Sequence, residues 1–152
     1  GRGLMVKKFD YTAEPRVSVL LNTDSEAENR EELLEKCCSL ARTVCRVLEE
    51  QGVQYDFTTN ADLAGYADGA VSEIGEGLGA NHFAAVLDCL GRATRYKAFS
   101  AGRLIGRALE SAQSRGRILI TPSADFTDAG ALGQLRELSN GSLLILQADE
   151  VA

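Results

Sequence analysis

The sequence is short of several features that particular classes of protein require. Only one of its 152 residues is histidine, and no apolar run approaches the length of a membrane-spanning helix. Because a spanning helix needs about 20 apolar residues, we expect no segment to cross a bilayer. No basic start followed by an apolar stretch indicates a secretory signal. A net charge of −6, from 16 Lys and Arg against 22 Asp and Glu, argues against a nucleic-acid-binding protein.

Motifs of common enzymes are also missing. The sequence contains no phosphate-binding loop of the G-x-x-x-x-G-K type and no G-x-S-x-G nucleophile elbow. The single histidine, His82, has no obvious serine or cysteine partner, and we expect it to flank or cap a helix. The segment from Gly75 to Ala80 resembles a dinucleotide-binding loop, but Ala80 replaces the last glycine and the segment does not follow the first predicted strand, so it predicts a plain turn. No catalytic residue and no cofactor are therefore predicted.

The four cysteines do not form a recognisable redox or metal-binding motif. None belongs to a C-x-x-C pair, and a chain of this size can be stable without disulfide staples. Spacings of three and four place Cys37 and Cys45 on the apolar stripe of one helix, with Cys38 beside them. We therefore expect these residues and Cys89 to be small buried side chains in a reducing compartment.

Hydrophobic periodicity predicts strands that alternate with helices. Hydrophobic residues make up 45% and charged residues 25% of the chain, which is typical of a globular domain. Gly52 is placed to end the first helix, and Ser100 is placed to cap the third. Alternation of this kind indicates an α/β fold with a doubly wound, mainly parallel sheet. The predicted strands are 16–21, 53–58, 70–74, 117–121 and 142–147, and the predicted helices are 28–51, 82–94, 100–114 and 127–138.

The first residues lie outside this alternation. Residues 4–11 can form a strand, but no helix or strand precedes them. We expect residues 1–14 to be the tail of an upstream segment or an edge strand, and residues 15–152 to form the domain. An exposed edge strand favours pairing with another chain, so self-association through residues 4–11 is expected.

Three segments carry a resemblance to a known family. These segments resemble the closing part of the signature of the domain of unknown function 58 family: the stretch Gly3-Leu4-Met5-Val6-Lys7-Lys8-Phe9-Asp10-Tyr11, the following Glu14-Pro15-Arg16-Val17 and the turn Asn22-Thr23-Asp24-Ser25. Residues 74–93 and 118–121 are similar to that family in pattern. The resemblance implies a von Willebrand factor A-like, Rossmann-like fold. It also implies the sheet order 3-2-1-4-5 in predicted strands, with 70–74 antiparallel at an edge.

The resemblance further implies a biological setting. Members of that family are often membrane-anchored and often occur beside MoxR-type AAA+ ATPases. We accordingly expect a cytoplasmic part of a membrane-anchored protein that makes no direct membrane contact itself. The expected function is a non-enzymatic protein-interaction module in complex assembly, with an AAA+ ATPase as the candidate partner.

Two loops follow the first and fourth predicted strands, where open α/β sheets bind ligands. The metal site of A domains resembles D-x-S-x-S, and this chain has Asn22, Asp24 and Glu26 at those positions. Pro122 stands where a second aspartate is expected. Since a Mg²⁺ site gathers carboxylates, this broken pattern predicts that no divalent metal binds. The second loop contributes Thr121, Ser123 and Asp125.

The same loops support other interpretations. Asp24 or Ser25 is expected to cap the helix that begins near residue 28, and Asp125 or Thr127 the helix after the fourth strand. The alternative is a metal-dependent or small-ligand-binding domain that uses the Asp24 and Asp125 loops.

Charge is distributed unevenly along the chain. Residues 21–76 contain 13 acids and 4 bases, whereas residues 82–117 contain 2 acids and 7 bases. One interpretation is a basic face for a protein partner. The other is a pair of solvated helix surfaces. The arginines of the candidate basic face are Arg92, Arg95, Arg103 and Arg107.

Overall fold

The computed structural model describes residues 16–66, 72–110, 116–125, 129–139 and 142–151. The predicted N-terminal strand and the predicted cap Thr127 lie outside these residues. Within them, strands alternate with helices, as the periodicity predicts. The strands are β1 (Arg16–Leu21), β2 (Gln54–Thr59), β3 (Ala61–Leu63), β4 (Ser72–Gly77), β5 (Ala93–Lys97), β6 (Gly116–Thr121) and β7 (Leu143–Gln147). The helices are α1 (Arg30–Gln51), α2 (Ala80–Arg92), α3 (Ala101–Ala108) and α4 (Ala129–Leu138), and a 3₁₀ turn (Ala148–Glu150) follows β7.

Five of these strands form one sheet in the order β4-β2-β1-β6-β7. β1 is parallel to β2 and to β6, and β6 is parallel to β7. β4 is antiparallel to β2 and forms one edge. The predicted fold class and the predicted strand order are therefore confirmed.

One face of the sheet packs against α1 and α2. Cys37 and Cys45 are fully buried on this face beside Tyr55 and Phe57, which confirms their predicted place on the apolar stripe of α1. Gly52 ends α1 in the left-handed conformation at φ 69°, also as predicted, and glycine adopts that conformation without a Cβ penalty. This face is the α1/α2 face.

The opposite face packs against α3 and α4 and is called the α3/α4 face. Leu20, Ile105, Leu119 and Leu135 form its apolar cluster. Helices on both sides make the sheet doubly wound, because right-handed crossovers carry successive helices to one face or the other. Among the described residues, no helix is long and apolar enough to cross a membrane.

The glycine-rich segment differs from its prediction. Gly75 and Gly77 lie within β4, which ends at residue 77, three residues past the predicted end of this strand, so the turn shrinks to Leu78 and Gly79. The absence of a side chain at Gly77 has a packing reason. A Cβ there would lie 2.8 Å from the Nδ1 atom of His82.

Two short strands were not predicted. The second helix ends at Arg92, and Ala93–Lys97 continues as β5, which pairs antiparallel with β3 in a separate two-stranded ribbon. The apolar residues before position 93 have helical spacing, so the sequence predicts a helix to residue 94 and not a strand that begins at residue 93. The third helix is also shorter than predicted, since α3 ends at Ala108.

Candidate functional site

The carboxyl ends of three neighbouring strands meet at one edge of the sheet. Asn22 directly follows β1, Asn60 directly follows β2, and Thr121 ends β6. The backbone N–H of Asn22 donates to Ile120 O at 2.8 Å, which extends the pairing of β1 with β6 into the loop. The structure thus brings together the two loops that the sequence singled out, and it adds Asn60 as a third contributor.

A buried amide network joins these three strand ends. Nδ2 of Asn22 donates to Thr121 Oγ1 at 3.0 Å, and Nδ2 of Asn60 donates to Asn22 Oδ1 at 2.8 Å. The backbone N–H of Thr23 donates to Asn60 Oδ1 at 2.8 Å, and that of Asp24 donates to Asn22 Oδ1 at 3.0 Å. Buried amides need such partners, because an unsatisfied polar group costs about 1–3 kcal/mol. Asn22 and Asn60 therefore fix the loop rather than present ligand atoms to solvent.

The carboxylate of Asp24 is held between a cation and a helix N-terminus. Its Oδ1 accepts from Lys97 Nζ at 2.7 Å, and its Oδ2 accepts from the backbone N–H of Ala101 at 3.2 Å. The lysine ammonium and the positive end of the α3 dipole both lie against the negative charge of this carboxylate. Asp24 is thus neutralised by groups of the chain itself.

This arrangement corrects the predicted helix cap. Asp24 contacts the first turn of α3 instead of capping α1, and Ser25 Oγ accepts from Ala27 N at 3.2 Å within its own loop. α1 begins after Asn29, whose side chain makes no capping hydrogen bond. The prediction for Ser100 is confirmed, since its Oγ accepts from Arg103 N at 3.2 Å.

A cleft of about 410 Å³ opens above these loops. Within the second loop, Thr121 Oγ1 donates to Ser123 O at 2.8 Å, and Asp125 N donates to Ser123 Oγ at 3.2 Å. Ser123 therefore orders the loop from both sides. The residues that line the cleft are Asp24, Ser25, Glu26, Ala27, Ala101, Ser123 and Asp125.

A smaller recess of about 150 Å³ lies on the other side of Asp24. β5 supplies Tyr96 and Lys97 to its wall, and Arg30 and Glu26 complete it. The Tyr96 side chain is prominent at this position, with the residue 52% exposed. Sequence reasoning missed Tyr96 and Lys97 because it missed β5.

The chemistry of a metal centre is not assembled among the described residues. In the chain segments that the structure covers, no three His, Cys, Asp or Glu side chains come together in an arrangement that could hold an ion. Asp24 is already engaged with Lys97. That no divalent metal binds here stays a prediction.

The histidine and the arginines occupy structural positions. His82 lies in the first turn of α2, where its Nε2 is 2.9 Å from Tyr55 O and its ring meets the Tyr55 ring edge-on.

Three arginines of the candidate basic face have partners within the chain. Arg92 pairs with Asp88 at 3.0 Å, and Arg107 pairs with Glu73. The Arg103 guanidinium lies over the ring of Phe99, at 5.2 Å from its centroid. The side chain of Arg95 lies outside the described residues, and the proposed basic face stays a prediction.

Comparison with known proteins identifies the fold. The chain is similar to a solved structure described as von Willebrand factor type A from Catenulispora acidiphila, with a TM-score of 0.53 and 12% sequence identity. The similarity covers 88% of this chain and 32% of the Catenulispora acidiphila chain, so this chain spans about a third of the length of that protein. No family model and no curated protein matches the chain. The fold is von Willebrand factor A-like.

Proposed function

We propose that this chain is a non-enzymatic protein-interaction domain whose binding surface surrounds Asp24, from the rim of the cleft to the adjoining recess at Tyr96. The observation that carries this proposal is the state of Asp24. Its two oxygens are occupied by Lys97 and by the N-terminus of α3. A carboxylate held in this way is poorly suited to act as a general base or as a metal ligand.

The surface around Asp24 has the composition of a recognition surface. Tyr96 is 52% exposed in the recess on one side of Asp24, while Glu26 and Asp125 are exposed around the opening of the cleft. Tyrosine is enriched in protein interfaces because it offers a large apolar face with a hydrogen-bonding tip. The buried amide network beneath keeps this surface rigid, which lowers the entropic cost of binding.

A finer assignment follows the sequence resemblance. We place the chain with the domain of unknown function 58 family, on the Gly3–Tyr11 stretch and the Asn22–Ser25 turn. On that placement, the partner is a MoxR-type AAA+ ATPase and the process is complex assembly. The parent protein is then membrane-anchored, with this domain in the cytoplasm.

The test is a binding titration of the purified chain with a MoxR-type ATPase from the same organism. Tyr96→Ala is expected to weaken binding at least about tenfold, as central interface tyrosines do. Tyr66→Ala is the matched control, because Tyr66 is 49% exposed but lies beyond the other end of the ribbon, under Arg92. Equal affinities for the two variants would contradict a binding surface around Asp24 that includes Tyr96.

The second candidate is a metal-dependent or small-ligand-binding domain. The observation that favours it is the cleft itself, where Asp24, Glu26 and Asp125 line a space large enough for a small molecule. Titration with Mg²⁺ and Mn²⁺ to about 1 mM, where weak sites fill, distinguishes the two. We expect no heat and no rise in Tm. A Mn²⁺-induced rise that disappears in Asp24→Ala would favour the second candidate.

Lys97→Ala makes this titration more informative. If the Lys97 ammonium supplies the positive charge that Asp24 needs, its removal leaves a carboxylate without a cation. Divalent ions should then stabilise Lys97→Ala more than the unmodified chain. Equal responses of the two proteins would show that Lys97 does not exclude a metal from this position.

A further inference from the structure

The two edges of the five-stranded sheet are built differently. Along the β4 edge, Glu73 pairs with Arg107 and Glu76 pairs with Arg16, and glycines interrupt the strand. Charges and irregularities of this kind prevent a strand edge from pairing with another chain. The β7 edge has the sequence Leu143-Leu144-Ile145-Leu146-Gln147, without a charge, proline or glycine.

The backbone of β7 has hydrogen-bonding groups that face away from β6. Ser142 O accepts from Arg117 N at 2.8 Å, so residue 142 directs its carbonyl toward β6. In a parallel ladder, successive residues turn their N–H and C=O groups to opposite sides. Leu143 and Ile145 therefore point theirs outward. Across the part of the chain that the structure describes, no strand pairs with this side of β7.

An exposed aliphatic side chain accompanies these backbone groups. Leu144 is 52% exposed, although its neighbours Leu143 and Ile145 pack against the α3/α4 cluster. A second strand beside β7 would cover Leu144 and satisfy the outward backbone groups together. The occupant that fits this edge is accordingly an extended, uncharged, aliphatic strand.

We propose that β7 pairs antiparallel with β7 of a second copy of this chain, about a two-fold axis at Ile145. In this register Ile145 faces its own equivalent, and Leu144 faces Leu146 of the partner subunit. Three of the five β7 positions face aliphatic side chains, Leu143 faces Gln147 of the partner subunit, Gln147 faces Leu143 of the partner subunit, and no like charges come into opposition within the strands. The acidic residues Asp149 and Glu150 follow each β7 and fall at opposite ends of the paired strands. Such self-matching is what a two-fold interface requires.

Sedimentation velocity of the full chain over a range of concentrations tests this proposal. A monomer–dimer equilibrium is expected, and Leu144→Lys should weaken it at least about tenfold, since a lysine on an edge strand opposes pairing. Val47→Lys is the matched control, because Val47 is 39% exposed on α1 and the change adds the same charge. A chain that stays monomeric at every concentration, or a dimer that Leu144→Lys leaves unchanged, would overturn the proposal.

Amide hydrogen exchange locates the interface independently of any variant. The N–H groups of Leu144 and Leu146 point toward β6 and should be protected at all concentrations. The N–H groups of Leu143 and Ile145 should become protected only as the dimer forms. Exchange at Leu143 and Ile145 that does not depend on concentration, in a sample that dimerises, would place the contact elsewhere.

Discussion

The two faces of the sheet bury different kinds of side chain. The α1/α2 face is an extensive apolar layer in which Phe57, Cys37 and Cys45 are excluded from water. The α3/α4 face has a smaller apolar cluster and, next to it, a row of polar side chains on adjacent strands. Ser18 of β1 lies in register with Asp56 of β2 and with Arg117 of β6.

This polar row is a buried electrostatic feature of the sheet. Ser18 Oγ donates to Asp56 Oδ2 at 3.2 Å, and Arg117 Nη1 donates to Ser139 Oγ at 3.1 Å. Arg117 is only 2% exposed. Apolar contacts tolerate changes of shape, whereas a buried charge depends on particular partners. The α3/α4 face should therefore be the more sensitive of the two to the loss of a single side chain.

The largest effect is expected at the centre of the polar row. Arg117→Ala should lower the free energy of unfolding by about 3–5 kcal/mol, because it removes one member of a buried polar arrangement and leaves a cavity. Arg117→Met keeps most of the volume without the charge and should cost less. Urea denaturation of the variants measures both. A loss below about 1 kcal/mol for Arg117→Ala, the size of an ordinary surface change, would show that the row contributes little.

The next effect concerns the apolar layer. Cys45→Asp should cost roughly 3 kcal/mol or more, because the carboxyl group would be buried on the α1 stripe without a partner. Cys45→Ala is the control for the lost volume and should cost less. In the unmodified protein, a thiol reagent should modify Cys38 well before Cys37 and Cys45, since only Cys38 is partly accessible. Rapid modification of all three would show that α1 has a different register.

Much of the apolar layer was predictable from the sequence. Leu33, Cys37, Cys45 and Leu48 follow a regular helical spacing, and β1 is a short, mostly apolar run with turn residues after it. Arg117 could not be predicted as buried, because arginine is ordinarily exposed and its partners lie on other elements. The strands β3 and β5 were not predicted because segments of three and five residues are too short to show a clear alternation of apolar and polar side chains.

The candidate site was predictable in its location and not in its contacts. Topology brings the Asn22 and Thr121 loops to one edge of a parallel sheet, so their proximity follows from strand order. The partners of Asp24 come from more than 70 positions away in the sequence. Asn60 left one usable signal, since it is a polar residue two positions after the predicted strand 53–58.

Alkaline pH should act on the α1/α2 face selectively. Burial raises the pKa of Cys37 and of Cys45 from 9.0 to about 12, and that of Cys89 to about 11. The folded state keeps these protons after the unfolded chain has lost them. The thiols therefore contribute their full stability below pH 9, and that contribution falls as the pH rises from 9 toward 12.

Between pH 9 and pH 10, the free energy of unfolding should fall by about 1 kcal/mol for each buried thiol. Urea denaturation at the two pH values gives the slope. Cys45→Ala removes one buried thiol and should reduce the slope of unfolding free energy against pH accordingly. Val47→Ala, a substitution at an exposed position, should leave this slope unchanged. A slope that is the same in Cys45→Ala would assign the alkaline sensitivity to other groups.

The smallest predicted effect is on the free energy of unfolding, from glycine-to-alanine substitutions in one helix on each face of the sheet. Gly106 lies inside α3 and Gly91 lies near the end of α2, and a Cβ at either position would meet no atom within 4 Å. Alanine loses less conformational freedom than glycine in a helix, so Gly106→Ala should raise the free energy of unfolding by about 0.5–1 kcal/mol. Gly91→Ala should gain less, because it lies one residue from the end of α2, where the backbone frays. Thermal denaturation ranks the two variants. A loss of stability in Gly106→Ala would mean that α3, the eight-residue helix whose N-terminus holds Asp24, is not helical at that position.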